Sequence, residues 1–125
     1  MRRSTVIFMI AAALSAPAAH ADTVASASSP DGVLKVELDL NGEGRLAYRV
    51  SRKGVLLVAD SRLGFLLRND RQFLRNLKLE SQSARSFDET WEQPWGERRF
   101  SRNHYNELRA SFVEGDRDHR RLDVV

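Results

Sequence analysis

The sequence predicts an all-β, antiparallel fold, and three stretches carry that prediction. Leu34, Val36, Leu38 and Leu40 alternate with Lys35, Glu37 and Asp39, and Leu46, Tyr48 and Val50 alternate with Arg45, Ala47 and Arg49. The same alternation returns where Leu108, Ala110 and Phe112 interleave with Glu107, Arg109 and Ser111. A period of two sends successive side chains to opposite faces of an extended chain, so each stretch reads as a strand with one buried face.

The chain opens on Arg2 and Arg3, runs through a short apolar stretch from Val6 to Leu14, and is broken by Pro17 before Ala19-His20-Ala21. That is the layout of a secretory signal, so residues 1–21 are expected to be a signal peptide cleaved after Ala21, with the mature protein periplasmic or secreted. A membrane span needs roughly 20 consecutive apolar residues, and the proline interrupts this run at about half that length. No span is expected once the signal has gone. The remaining 104 of the 125 residues contain no cysteine. An exported domain of this size often depends on disulfides, so this one must rely on its core, a metal or docking against further protein.

Charge says little about a partner. The 20 Lys and Arg fall to 18 when Arg2 and Arg3 leave with the signal, against 17 Asp and Glu, for a mature net charge of +1. A nucleic-acid surface gathers its cations on one face. Here acids and bases alternate, and clusters such as Arg98-Arg99 and His119-Arg120-Arg121 are short, so nucleic-acid binding is not expected.

Residues 22–29 are rich in Ala and Ser and read as a flexible lead-in. Ser29-Pro30-Asp31-Gly32 is a dense turn signal. The first two alternating strands are joined by Asn41-Gly42-Glu43-Gly44, which supplies the positive φ values of a hairpin turn. A second turn at residues 51–54 leads to a third strand at 55–58. Residues 63–67 read as a fourth, with Gly64 a bulge or a close backbone contact. Residues 70–80 mix two periods and read as a loop entering a strand over 74–81. Residues 82–103 hold no sustained period and read as a long loop or irregular strand pair. Gly115-Asp116-Arg117-Asp118 is a further turn, and 122–125 are strand-like. An apolar strand at the terminus leaves an edge without an evident partner, so the chain is expected to stop before its domain is complete.

The chemistry-bearing residues crowd into residues 87–108. Trp91 and Trp95 offer flat faces that could stack on a sugar ring, although tryptophan more often supplies buried packing area. Glu89, Glu97 and Glu107 are carboxylates of the kind glycoside hydrolysis uses in pairs, but no spacing sets two of them opposite one another. Pairing with the many arginines is the commoner role. His104, near Asn103 and Asn106, could join Asp88 or Glu97 around a metal, yet only His104 and His119 remain after signal cleavage and no cysteine supplements them. The sequence carries no phosphate-binding glycine loop and no nucleophile elbow. No catalytic or metal-ligating residue is assigned.

Several motifs stand in one order: Ser29-Pro30-Asp31-Gly32, Leu63-Gly64, Asp88-Glu89-Thr90-Trp91, Pro94-Trp95-Gly96-Glu97 and Asn103-His104-Tyr105-Asn106-Glu107-Leu108. In them the mature chain resembles the N-terminal domain of glycoside hydrolase family 97, enzymes of α-glucosidase and α-galactosidase type. The resemblance implies an antiparallel β-sandwich, here a partial N-terminal domain over residues 30–125. It implies a longer exported protein whose central (β/α)8 barrel hydrolyses terminal α-linked glucose or galactose. A barrel of that kind takes roughly 250 residues, so its carboxylates and its calcium ligands lie outside this chain. No cofactor is expected within it, and calcium is implied only for the full-length enzyme. Trp91, Trp95, Glu97, His104 and Asn106 are the candidate sugar-binding or barrel-facing residues. The partners implied are an α-linked oligosaccharide, reached through the parent enzyme, and the barrel itself. Two other readings fit the residues: a free-standing exported sugar-binding β module, and an exported structural or inhibitory protein.

Overall fold

The structure is a computed structural model and describes residues 21–115 and 119–125. The signal-peptide expectation falls on residues 1–20 and most of the 115–118 turn on residues 116–118, so both lie outside the described residues. Seven strands follow in order: β1 (Asp22–Ser28), β2 (Leu34–Leu40), β3 (Leu46–Arg52), β4 (Val55–Leu63), β5 (Leu77–Glu92), β6 (Phe100–Glu114) and β7 (Arg121–Val124). They form two sheets, a four-stranded meander β1-β2-β3-β4 and a three-stranded meander β5-β6-β7, and every strand pairing is antiparallel.

The β2–β3 hairpin is as the alternation predicts, with Leu34 opposite Arg52 and Leu40 opposite Leu46. Its turn is tied by the Asn41 side chain, whose Oδ1 accepts from the backbone N–H of Glu43 and Arg45 at 3.1 and 2.9 Å. Asn takes this role because its short carbonyl reaches its own backbone two residues on. Gly44 follows at φ +68°.

Three expectations are corrected. The lead-in over 22–29 is a strand: β1 pairs with β2 from Asp22 opposite Leu40 to Ser28 opposite Lys35. Its Ala and Ser side chains carry little strand preference of their own. The ladder to β2 and the burial of Ala25 at 5% exposure supply what propensity does not. The separate strand expected at 63–67 is not formed. β4 runs straight from Val55 to Leu63, then the chain folds back so that Phe65 and Phe73 bridge through two 3.0 Å backbone bonds. Gly64 sits at that fold, where a Cβ would meet Leu74 Cδ2 at 2.6 Å and the Phe73 carbonyl at 2.9 Å. It is the close contact of the two roles expected for it. Residues 82–103, read as irregular, belong mostly to one long β5–β6 ribbon that stays in register from Ser81 opposite Ser111 to Glu92 opposite Phe100.

The two sheets meet over the base of that ribbon. Ala25, Leu38 and Leu46 of the first sheet and Leu77, Ala110 and Phe112 of the second form the buried core with Phe73 from the connecting loop. Leu122 and Val124 of β7 pack against it, placed by pairing opposite Phe112 and Ala110. Backbone bonds from Asn76 N–H to the Glu43 carbonyl and from Leu77 N–H to the Gly44 carbonyl, each 3.0 Å, tie the first hairpin turn to the start of β5. This is a sandwich at its base, with the outer part of the ribbon extending past it.

Candidate binding surface

The candidate residues lie along the outer β5–β6 ribbon and its tip. Cross-strand partners share a face, so the register sorts them. One face carries Asp88 opposite His104, Ser86 opposite Asn106, and then Leu108 and Ala110 leading into the core. The other carries Trp91 opposite Ser101, Glu89 opposite Asn103, Phe87 opposite Tyr105 and Arg85 opposite Glu107. Trp95 and Glu97 belong to neither. They sit exposed in the loop between the strands, which is closed by Gln93 N–H donating to the Arg99 carbonyl at 2.7 Å.

The proximity suggested by sequence therefore resolves into three places. Trp91 is 44% and Trp95 87% exposed, so neither is a packing residue within this chain. His104 is exposed beside the Asp88–Arg102 pair, while Asn106 is used structurally. Its Nδ2 donates to the Ser28 carbonyl of β1 at 2.7 Å, and its Oδ1 accepts from Ser86 Oγ at 2.7 Å. That bond joins the ribbon to the edge of the first sheet.

The carboxylates on the ribbon are ion-pair acceptors. Arg102 grips Asp88 with Nε and Nη2 at 2.7 and 2.6 Å, and Arg85 grips Glu107 at 2.8 and 3.0 Å. The hydrogen bond from Arg102 holds the Asp88 carboxyl below its usual range, with smaller pulls from the charges of Arg102 and His104. The bond from Arg85 does the same for Glu107. A general acid needs its pKa raised so that it keeps its proton near neutrality. These two are moved the opposite way. Among the described residues no three His, Asp or Glu side chains gather to hold a metal ion, so nothing below runs through calcium.

Sequence reasoning missed the aromatic stack at the middle of the ribbon. The Phe87 and Tyr105 rings lie 4.8 Å apart at 20°, with the Arg85 guanidinium 4.6 Å from the Phe87 centroid. The available signal was Pro94-Trp95-Gly96. Taken as a hairpin tip, it would have set the flanking residues opposite one another.

Fold and surface together define an all-β, two-sheet module that presents exposed aromatics on a projecting hairpin and holds its ribbon carboxylates in ion pairs. The chain matches the glycosyl-hydrolase 97 N-terminal family over residues 27–125 and belongs to it. It is similar to solved structures of a glycoside hydrolase family 97 enzyme from Pseudoalteromonas sp. strain K8, at 26% identity and a TM-score of 0.71. Two of those structures hold panose and acarbose respectively. The likeness covers 79% of this chain and 15% of the enzyme's, so the chain spans a small part of the length of the proteins it resembles. Among the described residues, no helix is long and apolar enough to cross a membrane.

Proposed function

We propose that this chain is the non-catalytic, carbohydrate-binding-type β-sandwich portion of an exported family 97 α-glycosidase. In this reading, hydrolysis of terminal α-linked glucose or galactose is carried out by a barrel elsewhere in the longer protein. The observation that carries the reading is the family match over residues 27–125 in a chain spanning 15% of its structural relatives. The ion-paired state of Asp88 and Glu107 supports it, since both serve as charged acceptors rather than proton donors. Trp95, Trp91, Glu97 and His104 are the surface that packs against the barrel or shapes the rim of its sugar site. Calcium belongs to the full-length protein.

The test is turnover of aryl α-glucosides and α-galactosides by the exported chain alone, beside a family enzyme carrying its barrel. No turnover is expected from the chain alone. Measurable hydrolysis by it, lost in Glu107→Gln or Asp88→Asn, would overturn the proposal. The exposure of Trp95 also favours a second reading, a sugar-binding module acting by itself. Titration with panose and acarbose separates the two. Affinity shown by the chain alone and abolished in Trp95→Ala selects the second, and its absence selects the first.

A further inference from the structure

β7 pairs with only part of β6. Its four residues lie opposite Ala110 to Val113, whereas β6 begins ten residues earlier at Phe100. The flank of β6 from Phe100 to Arg109 that faces away from β5 therefore carries no strand among the described residues. β7 runs antiparallel to β6 with Val124 opposite Ala110, so the next residues along its line fall opposite Arg109, Leu108 and on toward Phe100.

The space along that line is already shaped. A groove of about 430 Å³ lies there, floored by Ala27, Val36 and Leu38 of the first sheet and walled by Leu108, Val124 and Val125. Burial along the inward row of β2 falls off in the same direction. Leu38 is 3% exposed, Val36 38% and Leu34 42%. These side chains share one face by alternation, yet only those beneath the second sheet are covered. An apolar row left open beside a free strand flank is the arrangement that strand addition fills. Backbone hydrogen bonds supply affinity, and alternate side chains supply register.

We infer that the Phe100–Arg109 flank of β6 is a strand-acceptor edge. Its occupant is an extended segment joined after Val125, continuing β7 in register, with apolar side chains on the positions that face Val36 and Leu38. Continuity with the existing β6–β7 pairing selects this occupant over a second copy. This inference stands independently of the glycosidase reading, because it concerns a backbone edge and would hold for a binding module equally.

Two extended chains test it, each adding a tail of about ten residues, enough at roughly 3.4 Å per residue to run the length of the flank. One tail alternates Val and Thr beginning with Val, so the first, third and fifth added residues face the groove. The other begins with Thr and turns its valines outward, since a one-residue shift exchanges the faces of a strand. Hydrogen exchange of the β6 amides is read in both and in the unextended chain. Val-first is expected to slow exchange across residues 100–109 by about tenfold or more and to raise the melting temperature, and Thr-first to do neither. Equal protection by both tails, or protection by neither, overturns the inference. So does concentration-dependent protection of the same amides in the unextended chain, which would assign the edge to a second copy.

Discussion

Glu114 is 2% exposed at the end of β6, and both of its carboxylate oxygens accept from Arg120, at 2.8 and 3.0 Å. The same guanidinium donates to the carbonyls of Arg71 and Gln72 at 2.8 and 3.1 Å and lies 4.7 Å from the centroid of the Phe73 ring. One side chain thus fastens the approach to β7 to the loop that precedes β5. Arg71 reaches Glu114 as well, at 3.4 Å. Removing one partner of a buried pair leaves a desolvated charge behind, usually at about 3–5 kcal/mol. Because Arg71 remains in Arg120→Ala, a loss of about 2–3 kcal/mol is expected from urea unfolding. Glu114→Gln, which removes the charge and keeps a carbonyl acceptor, is expected to lose less. Asp39 is the counterpart in the first sheet. It is 1% exposed and accepts from Thr23 Oγ1 at 2.6 Å, with Arg49 Nη1 at 3.3 Å from its other oxygen. That second approach lacks the alignment of a hydrogen bond, so its attraction is one of charge. Neither buried acid was legible in the sequence. Both occur at ordinary alternating polar positions, and only the fold brings an arginine over each.

At the scale of the element, the turn between β2 and β3 carries more than hairpin closure. Gly44 has φ +68°, and a Cβ there would lie 2.6 Å from the Leu77 backbone nitrogen and 2.7 Å from its carbonyl oxygen. Gly32 has the same φ in open space. The pair separates two costs that a glycine can conceal. Gly32→Ala is expected to lose about 1 kcal/mol, the penalty of a left-handed L-residue. Gly44→Ala adds a backbone clash at the junction of the sheets and is expected to lose about 3 kcal/mol or more, in line with strain at a constrained position. Equal losses, measured by the same unfolding titration, would contradict the junction's tightness. The alternation of β2, β3 and inner β6 was readable because each strand has one buried and one wetted face. Outer β5 and β6 were not. Both faces of a projecting ribbon are half-exposed, so no hydrophobic period marks them, and their pairing rests on the backbone ladder with Asp88–Arg102, Arg85–Glu107 and Phe87–Tyr105 across it.

Across the whole molecule, several carboxylates are more acidic folded than free. The hydrogen bond from Arg102 lowers Asp88, and that from Arg85 lowers Glu107. Lys35 and then Arg49 lower Glu37, and Ser111 with Arg121 lowers Asp123. A depressed folded-state pKa gives stability that is present above the ordinary carboxylate value of about 4 and is lost as pH falls through it to the folded value. The urea midpoint is therefore expected to change little from neutral pH to about 5 on this account and to decline below about 4. Because these pairs face solvent, the decline should be gradual and smaller at high salt. A midpoint that rose on acidification would contradict the assignment.

The sequence by itself determined the all-β class, the first hairpin, the inward row of β6 and the family, because each rests on local period, turn chemistry or ordered motifs. The candidate residues were legible too, but only as neighbours along the chain. Tertiary structure alone decided that residues 22–28 form a strand, since β1 draws its stability from the free edge of β2 and the burial of Ala25. It alone decided that Trp91 and His104 occupy opposite faces of one ribbon, with Trp95 beyond both at its tip. The physical reason is the same in each case. Strand pairing and register are long-range choices, made where backbone edges and apolar rows meet, and no local pattern of side chains records them.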